Sequence, residues 1–174
     1  HGERDTDGVT AAGEVGRENR TGGAPVNGAY GGNVGSVDDK HTPDDRSDDF
    51  LSSFSSTGPT HEGFVKPELA APGGHMLAHM NPNGTIAKSY REYMHENNHY
   101  FTMSGTSQSA AVISGVVALV VQADPTLTPD DVKCHLLSSA KPVVDASGTA
   151  LYSLFQQGAG LVFAPDAVFN QALA

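Results

Sequence analysis

Ser104-Gly105-Thr106-Ser107, followed at once by the small and apolar run from Ser109 to Val121, decides how this chain is read. A serine on the first turn of a helix meets free N–H groups and a partial positive charge, which would favour an oxyanion beside its Oγ. Gly105 would let the backbone turn tightly, with Thr106 completing the turn into the helix. The ordinary alternative is a Ser/Thr N-cap on a buried helix, which four residues alone do not exclude. The predicted helix, 107–123, is built mostly of Ala, Ser, Gly and Val. Residues that small suit a helix running through the middle of a domain, with close neighbours on all sides.

Working outward, Phe54-Ser55-Ser56-Thr57-Gly58-Pro59 and Lys66-Pro67-Glu68-Leu69-Ala70-Ala71-Pro72-Gly73 precede this turn in order. Gly158-Ala159-Gly160-Leu161-Val162 and Asp166-Ala167-Val168 follow it, and Val9-Thr10-Ala11-Ala12-Gly13-Glu14-Val15-Gly16 stands near the start. In this order the stretches resemble the subtilisin-like serine proteases, the subtilases, over nearly the whole chain. The resemblance implies an α/β, subtilisin-like three-layer fold with a mainly parallel sheet and a buried central helix starting at the catalytic serine. It implies Ser107 as nucleophile, the Gly105-Thr106 turn before it, the Ser107 N–H as one oxyanion donor, and Ala11, Ala12 and Gly13 along the substrate. It also implies a polypeptide substrate, an extracellular setting and no cofactor required for chemistry, with structural calcium left open.

Two departures from the family pattern qualify this. The family's triad Asp and His lie upstream of the Ala-Ala-Gly turn, where only eight residues precede Val9 and no matching segment is found. Residues 1–174 therefore read as the C-terminal part of one catalytic domain, partnered by a missing N-terminal part. A serine without its base is a poor nucleophile, so little activity is expected of this piece alone. The second departure is Glu14, at the position where most subtilases place an asparagine that donates to the oxyanion. A carboxylate there repels developing negative charge unless burial or acid keeps it protonated, as in relatives of the wider superfamily that work in acid. A catalytically dead, peptide-binding relative is the alternative. Ala111, where a proline is usual, suits a helix interior.

Composition narrows the partners. With 20 acidic and 10 basic residues the formal charge is −10, which argues against nucleic acid and anionic membranes. The apolar stretch 110–121 is too short to span a bilayer. Cys134 stands alone, so no internal disulfide forms, and its apolar helical neighbours suggest a buried thiol. Asp38, Asp39, Asp44, Asp45, Asp48 and Asp49 read as a solvated acidic loop, because calcium needs converging oxygens that spacing alone does not show. His95-Glu96-Asn97-Asn98-His99 fits the zinc metallopeptidase pattern, a different class of enzyme. Against it, the asparagines are weak helix formers, no third ligand follows, and His135 would have to fold back. A polar loop over 90–100 is the plainer reading, and His75 and His79 carry a still weaker metal signal.

Strands are expected over 9–12 and 33–37. Thr128-Pro129-Asp130-Asp131 announces a helix with Val132, Leu136 and Ala140 on one face, ended by Lys141-Pro142. A last helix starts near Pro165 with Ala167, Val168 and Leu173 among its apolar residues. Strands and helices whose partners are missing would expose apolar surface, so aggregation or disorder is expected of the piece by itself. In the full-length protein, Glu14→Asn is expected to raise peptide cleavage at neutral pH by roughly a hundredfold, the worth of one oxyanion donor. An unchanged rate would show that the Glu14 carboxylate does not oppose the reaction.

Overall fold

The strand β2 (Gly32–Asp38) is buried from Asn33 to Asp38 and meets a strand on each side. The computed structural model describes residues 9–11, 32–42, 45–95, 97–145 and 147–169. Among these, β1 (Val9–Ala11) and β4 (Leu69–Pro72) pair with β2 in parallel, with Ala11 opposite Val34 and Val34 opposite Leu69. The short β3 (Phe50–Leu51) closes the end of β2 in antiparallel fashion at Val37 and Asp38. Both expected strands are present, β2 one residue longer at each end.

Side chains alternate across this sheet as a period of two requires. Val34, Leu69 and Ala71 join Ile113, Val116, Val120, Val132, Leu136 and Ala167 in one core. Val37 and Ala70 point the other way, toward Leu51, Val143 and Leu161. The sheet is thus covered on both faces, as parallel sheets are, and the chain is α/β. Gly35 is small because Pro67 and Ser55 press on the strand. A Cβ there would stand 3.0 Å from Pro67 Cγ and 3.2 Å from Ser55 Oγ.

A hairpin follows, β5 (Met76–His79) antiparallel to β6 (Tyr100–Met103), enclosing α1 (Thr85–Ser89) and a single 3₁₀ turn at Arg91–Tyr93. The segment 90–100, expected as a polar loop, is therefore part turn and part strand end. Helix α2 (Thr106–Ala123) leads out of the hairpin. Its buried residues, Thr106, Ser109, Ile113, Val116 and Val120, recur at three and four residues and form one stripe. The structure corrects the expected burial on all sides. Ala111, Ser114, Gly115, Ala118 and Leu119 are exposed, and a Cβ on Gly115 would meet nothing within 4 Å. At 18 residues α2 also reaches the length and composition of a bilayer span, longer than the run 110–121 suggested. Its stripe turned onto the sheet is what a core helix shows.

Helix α3 (Pro129–Ser139) starts as its sequence announces. The Thr128 hydroxyl accepts from the Asp131 N–H, and the Asp131 carboxylate accepts from the Thr128 N–H at 2.8 Å. Val132 and Leu136 are buried, and Ala140 caps the end. Cys134 is exposed, not buried. Two residues from both Val132 and Leu136, it falls on the opposite side of the helix. His135 takes the buried place instead, and its Nδ1–H donates to the Ala167 carbonyl at 3.0 Å. After α4 (Leu154–Gln157), that bond docks α5 (Ala164–Phe169) on α3. Leu173 lies outside the described residues.

The acidic loop also needs correction. Asp45 is exposed, but Asp38 and Asp49 are buried, since one ends β2 and the other leads into β3. Asp44 lies outside the described residues. Burial pushes the Asp49 carboxyl up, against the opposing bond from Arg46 at 2.8 Å.

The Thr128 hydroxyl, then its main-chain N–H, hold Asp131 below the ordinary value of 3.8. Because the folded carboxyl binds its proton less tightly than the unfolded one, its contribution is full above that ordinary value. It is lost as pH falls through the depressed one. Thr128→Ala is expected to lower the melting temperature by roughly 2–4 °C at neutral pH. The gap from wild type should shrink as pH falls below the ordinary value of 3.8, and a gap independent of pH would dissociate the cap from Asp131.

Candidate functional site

Ser107 is the second residue of α2 and is exposed. So early in the helix, its N–H has no intrahelical acceptor and points out with the helix's positive end. What places it is the segment after β4. The Gly105 N–H donates to the Gly73 carbonyl at 2.9 Å, and the Ser109 hydroxyl donates to the Ala71 carbonyl at 3.0 Å. The Gly73 N–H in turn donates to the Val37 carbonyl at 2.9 Å. The serine turn is therefore hydrogen-bonded, through Gly73, to the central strand.

The glycine that this close approach requires is Gly73. A Cβ there would stand 2.6 Å from Ser36 Oγ, 2.7 Å from the Gly105 carbonyl oxygen and against Ser109 Oγ. Gly105 itself is extended, with φ 162°, so the tight turn expected of it is not the reason for a glycine there. Gly73 closes the quoted stretch from Lys66, yet nothing in its spacing says what it faces.

Around the turn, His75 has φ +51°, and its N–H donates to Ser104 Oγ at 2.8 Å. Its Nδ1 bonds Asp38 Oδ2, also at 2.8 Å. Sequence reading missed this link, having placed Asp38 in a solvated loop and His75 among weak metal candidates. A cleft beside Ser104 is lined by His75, Ile86, Tyr90, Tyr93, Phe101 and Met103.

The remaining candidates divide clearly. Ala11 ends β1, where its backbone pairs with Val34, whereas Ala12, Gly13 and Glu14 lie outside the described residues. His95 and His99 lie between Met94, which bridges Phe101 in antiparallel fashion, and the start of β6. The His95 N–H donates to the Tyr100 carbonyl at 2.9 Å, and Asn98 has φ +54°. They are not on a helix, so the one-turn spacing of the zinc pattern is not realised, and Glu96 is not among the described residues. His79 stacks on His99 at 6.2 Å between ring centroids, and His135 is buried against α5. Among the described residues no group of three His, Cys, Asp or Glu converges as a metal site.

The family model described as "Subtilase family" matches residues 6–160. Serine protease AprX of Bacillus subtilis (strain 168) is 37% identical over 161 residues, which are 92% of this chain and 35% of that protein. C5a peptidase of Streptococcus pyogenes is 38% identical over 125 residues, 67% of this chain and 9% of that protein. Subtilisin-like protease SBT3.9 of Arabidopsis thaliana is 32% identical over 128 residues, 68% and 16% of the two. The chain thus spans about a third or less of these relatives' lengths. In fold it is similar to the prenylagaramide maturation protease PagA, with a TM-score of 0.62 at 24% identity, over 92% of this chain and 48% of that one.

Gly73→Ala is expected to destabilise the protein by ~1–3 kcal/mol, because its methyl group must displace backbone at Gly105 as well as two hydroxyls. Equilibrium unfolding measures this. A wild-type midpoint would mean that the serine turn is free to move away from β4.

Proposed function

The chain belongs to the subtilase family, and on that premise we propose that it carries the nucleophile-bearing part of a serine endopeptidase domain. The relatives named above are proteases, and the observation that supports the reading here is the placement of Ser107. It is exposed on the first turn of an 18-residue helix whose start is bonded to the sheet. In the proposed reaction Ser107 Oγ attacks the peptide carbonyl carbon and passes its proton to a histidine base. The acyl-enzyme forms as the leaving amine takes that proton, and water then releases the acyl group. The Ser107 N–H donates to the oxyanion, and Ala11, Ala12 and Gly13 flank the substrate. The triad acid and base come from residues outside this sequence, which complete the three-layer domain. Structural calcium is no part of the chemistry, and the setting proposed by family resemblance is extracellular.

Glu14 supports a second reading, a peptide-binding relative that no longer cleaves. As a carboxylate it opposes an oxyanion, and only as a carboxylic acid could it donate to one.

Labelling of the full-length protein with a fluorophosphonate serine probe separates the two. Labelling that disappears in Ser107→Ala is expected, at neutral pH or only in acid according to the state of Glu14. A folded protein that is labelled at neither pH would favour the binding module.

A further inference from the structure

The second turn-fastening device lies on the far side of Ser104 and involves side chains at sites with no assigned role. Asp38 is buried at the end of β2, and each of its oxygens has a partner. Oδ1 accepts from the Lys40 N–H at 3.0 Å and Oδ2 bonds His75 Nδ1 at 2.8 Å. Since a carboxylate only accepts, the imidazole donates there. Gly74 leaves the space in which the carboxylate lies, for a Cβ on it would stand 2.5 Å from Asp38 Cγ and 2.6 Å from Oδ2. Held this way, His75 adopts the left-handed backbone conformation, φ +51°, which is uncommon for residues other than glycine. That conformation aims its N–H at Ser104 Oγ, 2.8 Å away. The next residue, Gly105, bonds Gly73.

We propose that Asp38 and His75 form a clamp that sets the orientation of the 104–107 turn, with His75 as a positioning residue for Ser107. The clamp acts through Ser104: the ring of His75 is anchored on the central strand, and its main chain holds the residue that begins the turn. Two thirds of the His75 side chain is exposed, so packing does not explain its strained backbone, whereas the bond to Asp38 does. Its significance for catalysis rests on the protease reading. A nucleophile displaced by about 1 Å loses roughly a hundredfold in rate with little change in binding.

The test uses the full-length protein with His75→Ala, Ser104→Ala and His75→Asn. Asparagine tolerates the left-handed conformation and offers Nδ2–H where the imidazole offers Nδ1–H. The first two variants are expected to lower kcat by roughly 10- to 100-fold with KM within about twofold. Together they should cost little more than either alone, since they break one linkage. His75→Asn should restore most of the loss. Wild-type kcat in both single variants, or a loss in His75→Ala that asparagine does not restore, would overturn the clamp. Hydrogen exchange across 104–108 reads the same device without catalysis. It should quicken in His75→Ala and Ser104→Ala and return in His75→Asn, and exchange unchanged by the substitutions would again overturn it. A folded wild type that cleaves nothing would refute the protease reading alone, because exchange still decides the clamp.

Discussion

The main chain at the start of α2 is tied to the central strand through one residue, Gly73. Its N–H is bonded to the Val37 carbonyl of β2, and its carbonyl accepts from Gly105 at the head of the helix. No side chain fits between, since a Cβ on Gly73 would collide with groups from both sides. Strand, crossing segment and helix start are thereby stacked at hydrogen-bond distance. The first helical turn inherits the rigidity of the buried strand behind it. A serine on such a turn is exposed and yet held, which is the combination a nucleophile needs and a solvent-exposed loop does not provide.

The same strand is fastened a second time at its other end. Glu68 Oε2 accepts from the Asn33 N–H at 2.7 Å, while Oε1 is shared by Lys66 at 2.8 Å and Lys133 at 2.7 Å. One carboxylate thus ties β2, the approach to β4 and helix α3. Lys66 is almost fully buried, and a charge so placed requires a partner of opposite sign. Ser55 of the Phe54-Ser55-Ser56 stretch and Ser52 just before it do comparable work with neutral groups. Ser55 Oγ accepts from the Ser36 N–H, and the Ser36 and Ser52 hydroxyls bond each other at 2.9 Å. The motifs that carried the family resemblance are, in these places, the partners of the central strand's polar groups.

Some of the chain is legible in its residues alone. The α3 cap is, because its hydrogen bonds join residues three apart and need nothing distant. The strand at 33–37 and the helix after the serine turn are also legible, since run length and side-chain type express local geometry. Cys134 is misplaced by its sequence because an apolar neighbourhood does not say which side of a helix a residue occupies. Asp38 and Asp49 are misplaced for a related reason. A run of acids looks solvated, but Asp38 at the end of β2 and Asp49 just before β3 are buried where these two strands pair. His95 and His99 match a helical zinc pattern, but the antiparallel bridge of Met94 to Phe101 and the His95 N–H bond to the Tyr100 carbonyl reverse the chain there instead of winding it into a helix.

By itself, the sequence determined the family, the strand at 33–37 and the helices that follow the 104–107 turn and Thr128, because each is written in contiguous residues whose preferences act locally. The tertiary structure alone decided which glycine must be a glycine, which face of α2 is covered, and that Asp38 meets His75, 37 positions away. Those facts depend on how the parallel strands align side by side. Strand register brings together side chains that no local preference links, so it is set by packing and hydrogen bonding across the sheet.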